Sequence, residues 1–301
     1  MRTLRFLAVA VLIAACGDPA PPPPGDGDVV VVASVHPLAS IARSLLGDDA
    51  VVRTLLPPGV HADAFEPTPR MAEAIAGADL VVRIGLELDD WLGAVPATEV
   101  ILGDSIPPEF REPAGNPHIW LDPILVRDRI LPVMTRSLLA MVGGSVEGAD
   151  SVPTDLAAAI RNRAVAFADS LTELDTEIET LLQDIPVRRF IAAHPAWDHF
   201  ARRYDLTEVG TLHPSPGHEI GTRELAGLVA TARREGVRAV IAEPQLGREG
   251  VSAVADELKV NVEVADPIGG PGLQGREDYL SLMRFNARAF TRALGANRQG
   301  D

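Results

Sequence analysis

From Val29 onward, short runs rich in Val, Ile and Leu alternate with longer stretches in which apolar residues recur every three or four positions. The short runs predict strands and the longer stretches predict amphipathic helices; their regular alternation predicts βαβ units on mostly parallel sheets. A first series predicts strands over residues 29–33, 51–56, 80–84 and 100–102, with helices over 38–46 and 70–76. A second predicts strands over 190–193, 206–209, 239–242 and 260–264, with helices over 196–204, 223–235 and 250–258, and an amphipathic helix over 276–294 closes the chain. Between the two series, Leu156, Ile160, Phe167, Leu171, Leu174, Ile178 and Leu181 keep helical spacing with no internal Pro or Gly. They predict one helix over about 154–184, bracketed by Pro153 and Pro186. Some thirty helical residues rise about 45 Å, the length of a whole lobe, so this element reads as a stiff spine. The expected fold is α/β: two (β/α) lobes with mostly parallel sheets, 29–150 and 186–301, joined by a spine helix within 151–185.

A chain of 301 residues with 47% hydrophobic content can give each lobe its own core. The formal charge of -15 excludes a phosphate-binding surface of clustered Lys and Arg, so no nucleic-acid partner is expected. At the N-terminus, Arg2 and Arg5 precede an apolar run over 6–15 and then Cys16, the pattern of a secretory signal over 1–15. That run is too short to span a bilayer as a permanent helix. Ile13-Ala14-Ala15-Cys16 resembles a bacterial lipobox, in which cleavage makes the cysteine a lipidated first residue. The alternative is a buried free thiol, and with Cys16 the only cysteine no intramolecular disulfide can form. Residues 17–28 are Pro-rich, lack apolar periodicity and predict an extended tether. An exported protein follows, held at the cell envelope only through its N-terminal lipid.

Four loop-like segments each set a histidine or carboxylate beside proline or small residues. They are Gly59-Val60-His61-Ala62-Asp63, Asn116-Pro117-His118-Ile119-Trp120, Ala192-Ala193-His194-Pro195 and Val264-Ala265-Asp266-Pro267. Imidazole and carboxylate are the ligands a borderline or hard divalent ion needs. In open α/β sheets ligands bind beyond the carboxyl ends of strands, and three of the four segments fall there. Alone, a histidine before a helix is more often a cap or a satisfied polar group; four such segments together predict a metal site in the cleft between the lobes.

Longer fragments surround these residues. Pro57-Pro58-Gly59 is followed by Phe65-Glu66-Pro67-Thr68-Pro69, and Ala78-Asp79-Leu80-Val81-Val82 by Gly85. Asn116-Pro117-His118-Ile119-Trp120-Leu121-Asp122-Pro123, His194-Pro195-Ala196-Trp197 and Phe200-Ala201-Arg202-Arg203-Tyr204 come next. Ala242-Glu243-Pro244-Gln245, Asp266-Pro267-Ile268-Gly269 and Tyr279-Leu280-Ser281-Leu282-Met283 leading to Asn286 complete the set. In this order, over about 29–294, the chain resembles the metal-specific solute-binding proteins of bacterial zinc and manganese ABC importers, the cluster A-I family.

The resemblance implies His118, His194 and Asp266 as metal ligands. Its first ligand stands two residues before the aromatic of the Phe65-Glu66-Pro67 motif, which is Asp63 here, with His61 two residues earlier as the alternative. With Asp63, two imidazoles and two carboxylates neutralise a divalent ion and suit manganese or iron as well as zinc; with His61, three imidazoles and one carboxylate favour zinc. A histidine at position 194 resembles the zinc branch, so Zn2+ is expected, with Mn2+ as the alternative. Glu243 is expected to support a ligand imidazole and His199 to pack near the cleft. The His-rich loop many zinc-uptake members carry is absent, since 103–115 contains no histidine.

The function this implies is capture of one divalent ion by a monomer that delivers it to the permease subunits of an ABC importer. Four protein ligands leave no open position for water, so no enzyme is expected. A secreted metallohydrolase is the first rival, but His218-Glu219 is followed by Thr222 where a His-Glu-x-x-His protease needs its second histidine. A surface adhesin using metal only for stability is the second.

Overall fold

The computed structural model describes residues 29–62, 65–110, 115–143, 155–215 and 219–295. Lobe one holds β1 (Val30–Ala33), β2 (Val51–Thr54), β3 (Leu80–Arg83) and β4 (Glu99–Ile101), hydrogen-bonded in the order β2-β1-β3-β4. Lobe two repeats the arrangement with β5 (Arg189–Ala192), β6 (Thr207–Thr211), β7 (Ala239–Ala242) and β8 (Asn261–Val264), in the order β6-β5-β7-β8. Every strand pair is parallel. In chain order the helices are α1 (His36–Leu46), α2 (Pro69–Ala76), α3 (Pro123–Leu125), α4 (Leu131–Met141), α5 (Asp155–Leu182), α6 (Asp198–Arg203), α7 (Thr222–Glu235), α8 (Glu249–Leu258) and α9 (Tyr279–Gly295). Parallel neighbours need crossovers, and α1, α2, α6, α7 and α8 lie in them, while α3 to α5 link the two sheets and α9 follows the last strand.

The central strands are apolar on both faces because helices cover both faces. Val31 and Ala33 of β1 turn inward while Val30 and Val32 turn outward, and in β5 Phe190 and Ala192 turn inward while Ile191 turns outward. Composition suggested a separate core for each lobe; instead, one inner core runs through both. Leu38 and Ile41 of α1, Ile160, Leu171 and Leu174 of α5, Phe190 of β5 and Phe290 of α9 belong to a single buried cluster, with a smaller cluster on the outer face of each sheet. The cause is α5, which packs on α1 from lobe one and on α9 from lobe two. Asp175 on α5 also accepts from the Tyr204 hydroxyl at 3.1 Å and from Arg203 Nε at 2.8 Å, fastening the spine to α6. A core shared in this way leaves little room for the lobes to move as independent bodies.

A π-turn over Val126–Ile130 separates α3 from α4. Pro132 has no N–H to give the carbonyl of residue 128, and the wider turn absorbs the loss. Among the described residues no helix is long and apolar enough to cross a membrane.

Candidate metal centre

Strands β5, β7 and β8 are neighbours, and just past their carboxyl ends stand His194, Glu243 and Asp266. All three are buried. Asn286 of α9 fixes the backbone of Asp266, accepting its N–H at 2.8 Å and donating to its carbonyl at 2.7 Å.

Lobe one reaches this row with two loops. Beyond β2, Leu55 and Leu56 still donate to the carbonyls of Ala33 and Ser34. The chain then turns at Pro57–Val60, where Val60 N–H donates to Pro57 O at 3.3 Å and Gly59 has φ of 76°. Pro followed by a positive-φ Gly is what a type II turn requires. His61 follows the turn, its ring edge-on to that of His194 with centroids 4.6 Å apart. His118 comes from the irregular stretch before the single 3₁₀ turn Ile119–Leu121 and is buried.

The polar contacts of each ring indicate which nitrogen faces the cavity. Asn116 Nδ2 donates to Pro195 O at 2.7 Å, so Asn116 Oδ1 is an acceptor, and it takes both the His118 backbone N–H and Nδ1 at 3.0 Å each. His118 therefore carries its proton on Nδ1 and presents a lone pair at Nε2. His194 Nδ1 lies in ion-pair contact with Glu243 Oε2 at 2.6 Å, which leaves Nε2 as the nitrogen that faces His118. The two Nε2 atoms, one from each lobe, stand 3.3 Å apart. Two lone pairs so close repel unless a proton or a cation lies between them. Burial first, and then the neighbouring His194, His61 and His199, hold the His118 pKa well below its ordinary value, so this ring keeps its Nε2 lone pair. Two nitrogens bound to one tetrahedral zinc at about 2.0–2.1 Å stand roughly 3.3 Å apart.

Between these groups lies a cavity of about 10 Å³ lined by His61, Ala62, His118, His194, Glu243, Gln245, Pro267 and Ile268. That is room for about one water-sized particle. Gln245 Nε2 donates to Asp266 Oδ1 at 2.7 Å, while its Oε1 is buried and accepts no hydrogen bond among the described residues. An amide oxygen left open on the wall of a one-particle cavity fits a cation. His61, His194 and Glu243 offer potential ligand atoms that all lie within 4.8 Å of one another. Imidazole, carboxylate and amide oxygen together form a donor set for a borderline divalent ion.

The structure gathers His61, His118, His194 and Glu243 at the cavity. Asp266 stands beside it, with Oδ1 accepting from Gln245 and from the N–H groups of Ile268 and Gly269 at 3.0 Å each, and Oδ2 accepting from Arg276 at 2.7 Å. His199 Nε2 donates to Asn116 O at 3.0 Å and so braces the loop that carries His118. His36 opens α1 and its Nε2 lies 2.9 Å from Glu277 O. Asp63, His218 and the segment 1–28 with Cys16 lie outside the described residues. Sequence reasoning passes over Gln245 and Arg276. For Gln245 the signal was available, since it stands in the Ala242-Glu243-Pro244-Gln245 turn at a strand's carboxyl end.

The family profile described as the periplasmic zinc-uptake complex component A matches residues 31–293. A putative metal-binding protein of Thermotoga maritima is 29% identical over 264 residues, covering 88% of this chain and 92% of its own. The high-affinity zinc uptake system protein ZnuA of Bacillus subtilis is 23% identical, covering 95% of each chain. The manganese-binding lipoprotein MntA of Halalkalibacterium halodurans is 26% identical, covering 96% of each. Among solved structures, a crystal structure of ZnuA superposes with a TM-score of 0.75 at 26% identity, covering 89% of this chain and 99% of the other.

Proposed function

This chain belongs to the zinc-uptake complex component A family of periplasmic metal-binding proteins, and from that premise we propose that it captures a single divalent ion between its lobes and passes it to the membrane permease of an ABC importer. Zinc is the ion in first place and manganese the alternative. The observation that carries the reading is the facing pair of imidazole nitrogens, His118 Nε2 and His194 Nε2, drawn from opposite lobes to 3.3 Å. Binding here needs His118, His194 and His61 as nitrogen donors, with Asp266 as the carboxylate one residue beyond the cavity wall. Three imidazoles favour zinc, and each added carboxylate shifts the balance toward manganese or iron. Such a site holds its ion without an open coordination position for water, which suits transport rather than hydrolysis. Cys16, once lipidated, would keep the receptor at the membrane surface near its permease.

The reading is tested on the mature, tag-free protein by elemental mass spectrometry, followed by zinc and manganese titration of wild type, His61→Ala and Asp63→Ala. One zinc per chain is expected, with His61→Ala losing more zinc affinity than Asp63→Ala. A wild-type protein that binds neither ion ends the reading.

Glu243 supports it from behind. By holding Nδ1 of His194 it fixes the ring and makes Nε2 a stronger donor. Glu243→Gln removes the charge while keeping the shape, and zinc affinity is expected to fall about 10- to 100-fold with little change in the metal-free fold. Unaltered affinity by competition with a chelating dye would show that His194 needs no such partner.

A further inference from the structure

Asp266 already holds a cation. Its Oδ2 accepts from Arg276 Nη1 at 2.7 Å, with the aspartate side chain fully buried and the arginine side chain 19% exposed. The intervening loop is folded to return the guanidinium to this point. Gly270 N–H donates to Arg276 O at 3.1 Å and Arg276 N–H to Leu273 O at 2.8 Å. Gly269 has φ of 67°, and a Cβ there would meet Arg276 O at 2.7 Å, so the closure requires glycine. The guanidinium carbon lies 4.9 Å from the Phe285 ring centroid, yet Arg276 Nε is buried with no hydrogen-bond partner among the described residues. One carboxylate is thus the main polar partner that holds this side chain. The opposite oxygen of that carboxylate is tied to Gln245, and Gln245, Pro267 and Ile268 all line the metal cavity.

Resting on the metal-capture reading, we propose that Arg276 is the internal counter-cation of Asp266 and competes with the incoming metal for that carboxylate, which makes it a determinant of selectivity between zinc and manganese. While Arg276 holds Asp266, an entering ion meets mainly nitrogen donors, a set that serves zinc well. A harder ion depends on carboxylate oxygen and must displace the guanidinium first. Displacement breaks a charge-assisted hydrogen bond and leaves a half-buried cation seeking another partner, a penalty that falls more heavily on manganese than on zinc. The same contact gives the metal-free form a closed alternative, since Arg276 returns to Asp266 when the ion departs and no bare buried carboxylate remains.

The test measures zinc and manganese affinities by competition with metal indicators for wild type, Arg276→Met, Asp266→Asn and the double variant, together with melting temperatures in chelator and in each metal. Arg276→Met is expected to raise manganese affinity about tenfold or more, with a smaller change for zinc, and to lower the metal-free melting temperature while enlarging the manganese-induced rise. In the Asp266→Asn background the same substitution should leave the manganese-to-zinc ratio where it was. If Arg276→Met does not fold, Arg276→Lys keeps the charge but loses the planar fork, and an intermediate ratio is expected. A wild-type ratio in these variants, or an equal gain without the Asp266 carboxylate, overturns the inference and leaves metal capture standing. Failure of the wild type to bind either ion overturns both.

Discussion

Replacing His118 or His194 by alanine is expected to lower zinc affinity by more than about 100-fold each, since losing the partner behind a ligand already costs 10–100-fold and here the donor itself goes. The pair should also be strongly non-additive. Both Nε2 atoms point at one spot, so once either is gone the remaining ring holds little, and the double variant should bind only slightly more weakly than either single one. His213→Ala, outside the cavity lining, is the control and should bind as wild type does. Additive losses in a titration series would mean that the two histidines serve separate sites. The pH profile adds a second readout. Burial, with help from neighbouring histidines, keeps the His118 pKa well below its ordinary value. This ring therefore stays an open donor as pH falls from 7 through about 6.5, where an exposed histidine is already about half protonated. Stability of the metal-free protein has the opposite sensitivity. His118, His36 and His199 all have pKa values lowered chiefly by burial, so below about 6.5 the unfolded chain binds protons that the folded one does not. Stability is full above that pH and declines as pH drops toward the depressed folded values. Urea midpoints in chelator that stay flat from pH 7.5 to 5.5 would contradict this, and His118→Ala should flatten part of the slope.

Much of the architecture was legible because its signals are periodic. The spine predicted over 154–184 is observed as Asp155–Leu182, since a stripe repeating for seven turns leaves no alternative element. Boundaries blurred where side chains end an element against its own periodicity. The last helix was expected from Arg276 but starts at Tyr279, because Asp278 and Ser281 form a reciprocal cap: Asp278 Oδ1 accepts from Ser281 N at 2.9 Å and Ser281 Oγ accepts from Asp278 N at 3.2 Å. Freed from the helix, Arg276 can turn to Asp266. The helix expected over 196–204 likewise begins only at Asp198, because residues just past His194 are used to turn the chain at the cavity. Ligand candidates at strand ends could be named because topology decides where strand ends gather. Which way a loop side chain faces could not, since that depends on contacts between lobes far apart in sequence. Hence His61 against Asp63 stayed open, and the role of Arg276 emerged only from its bond to Asp266.

Trp120→Ala is expected to destabilise the protein by about 3–5 kcal/mol and to weaken metal binding as well, although no atom of Trp120 is a ligand. The side chain is fully buried. Its Nε1 donates to Pro267 O at 2.7 Å and its backbone carbonyl accepts from the Tyr279 hydroxyl at 2.7 Å, so one residue ties the loop carrying His118 to the loop after Asp266 and to α9. Its ring also stands 5.2 Å from that of His118, which gives the imidazole a wall to rest on. Trp120→Phe separates the two contributions. Phenylalanine keeps most of the apolar packing but leaves the buried Pro267 carbonyl without its donor, a loss of about 1–3 kcal/mol. If Trp120 positions the ligands, zinc affinity should fall in the phenylalanine variant even where chelator-treated protein remains folded in urea titration. Should the phenylalanine variant bind zinc as wild type does while the alanine variant binds poorly, packing beneath His118 would be the sole contribution and the interlobe hydrogen bond would have no part in shaping the site.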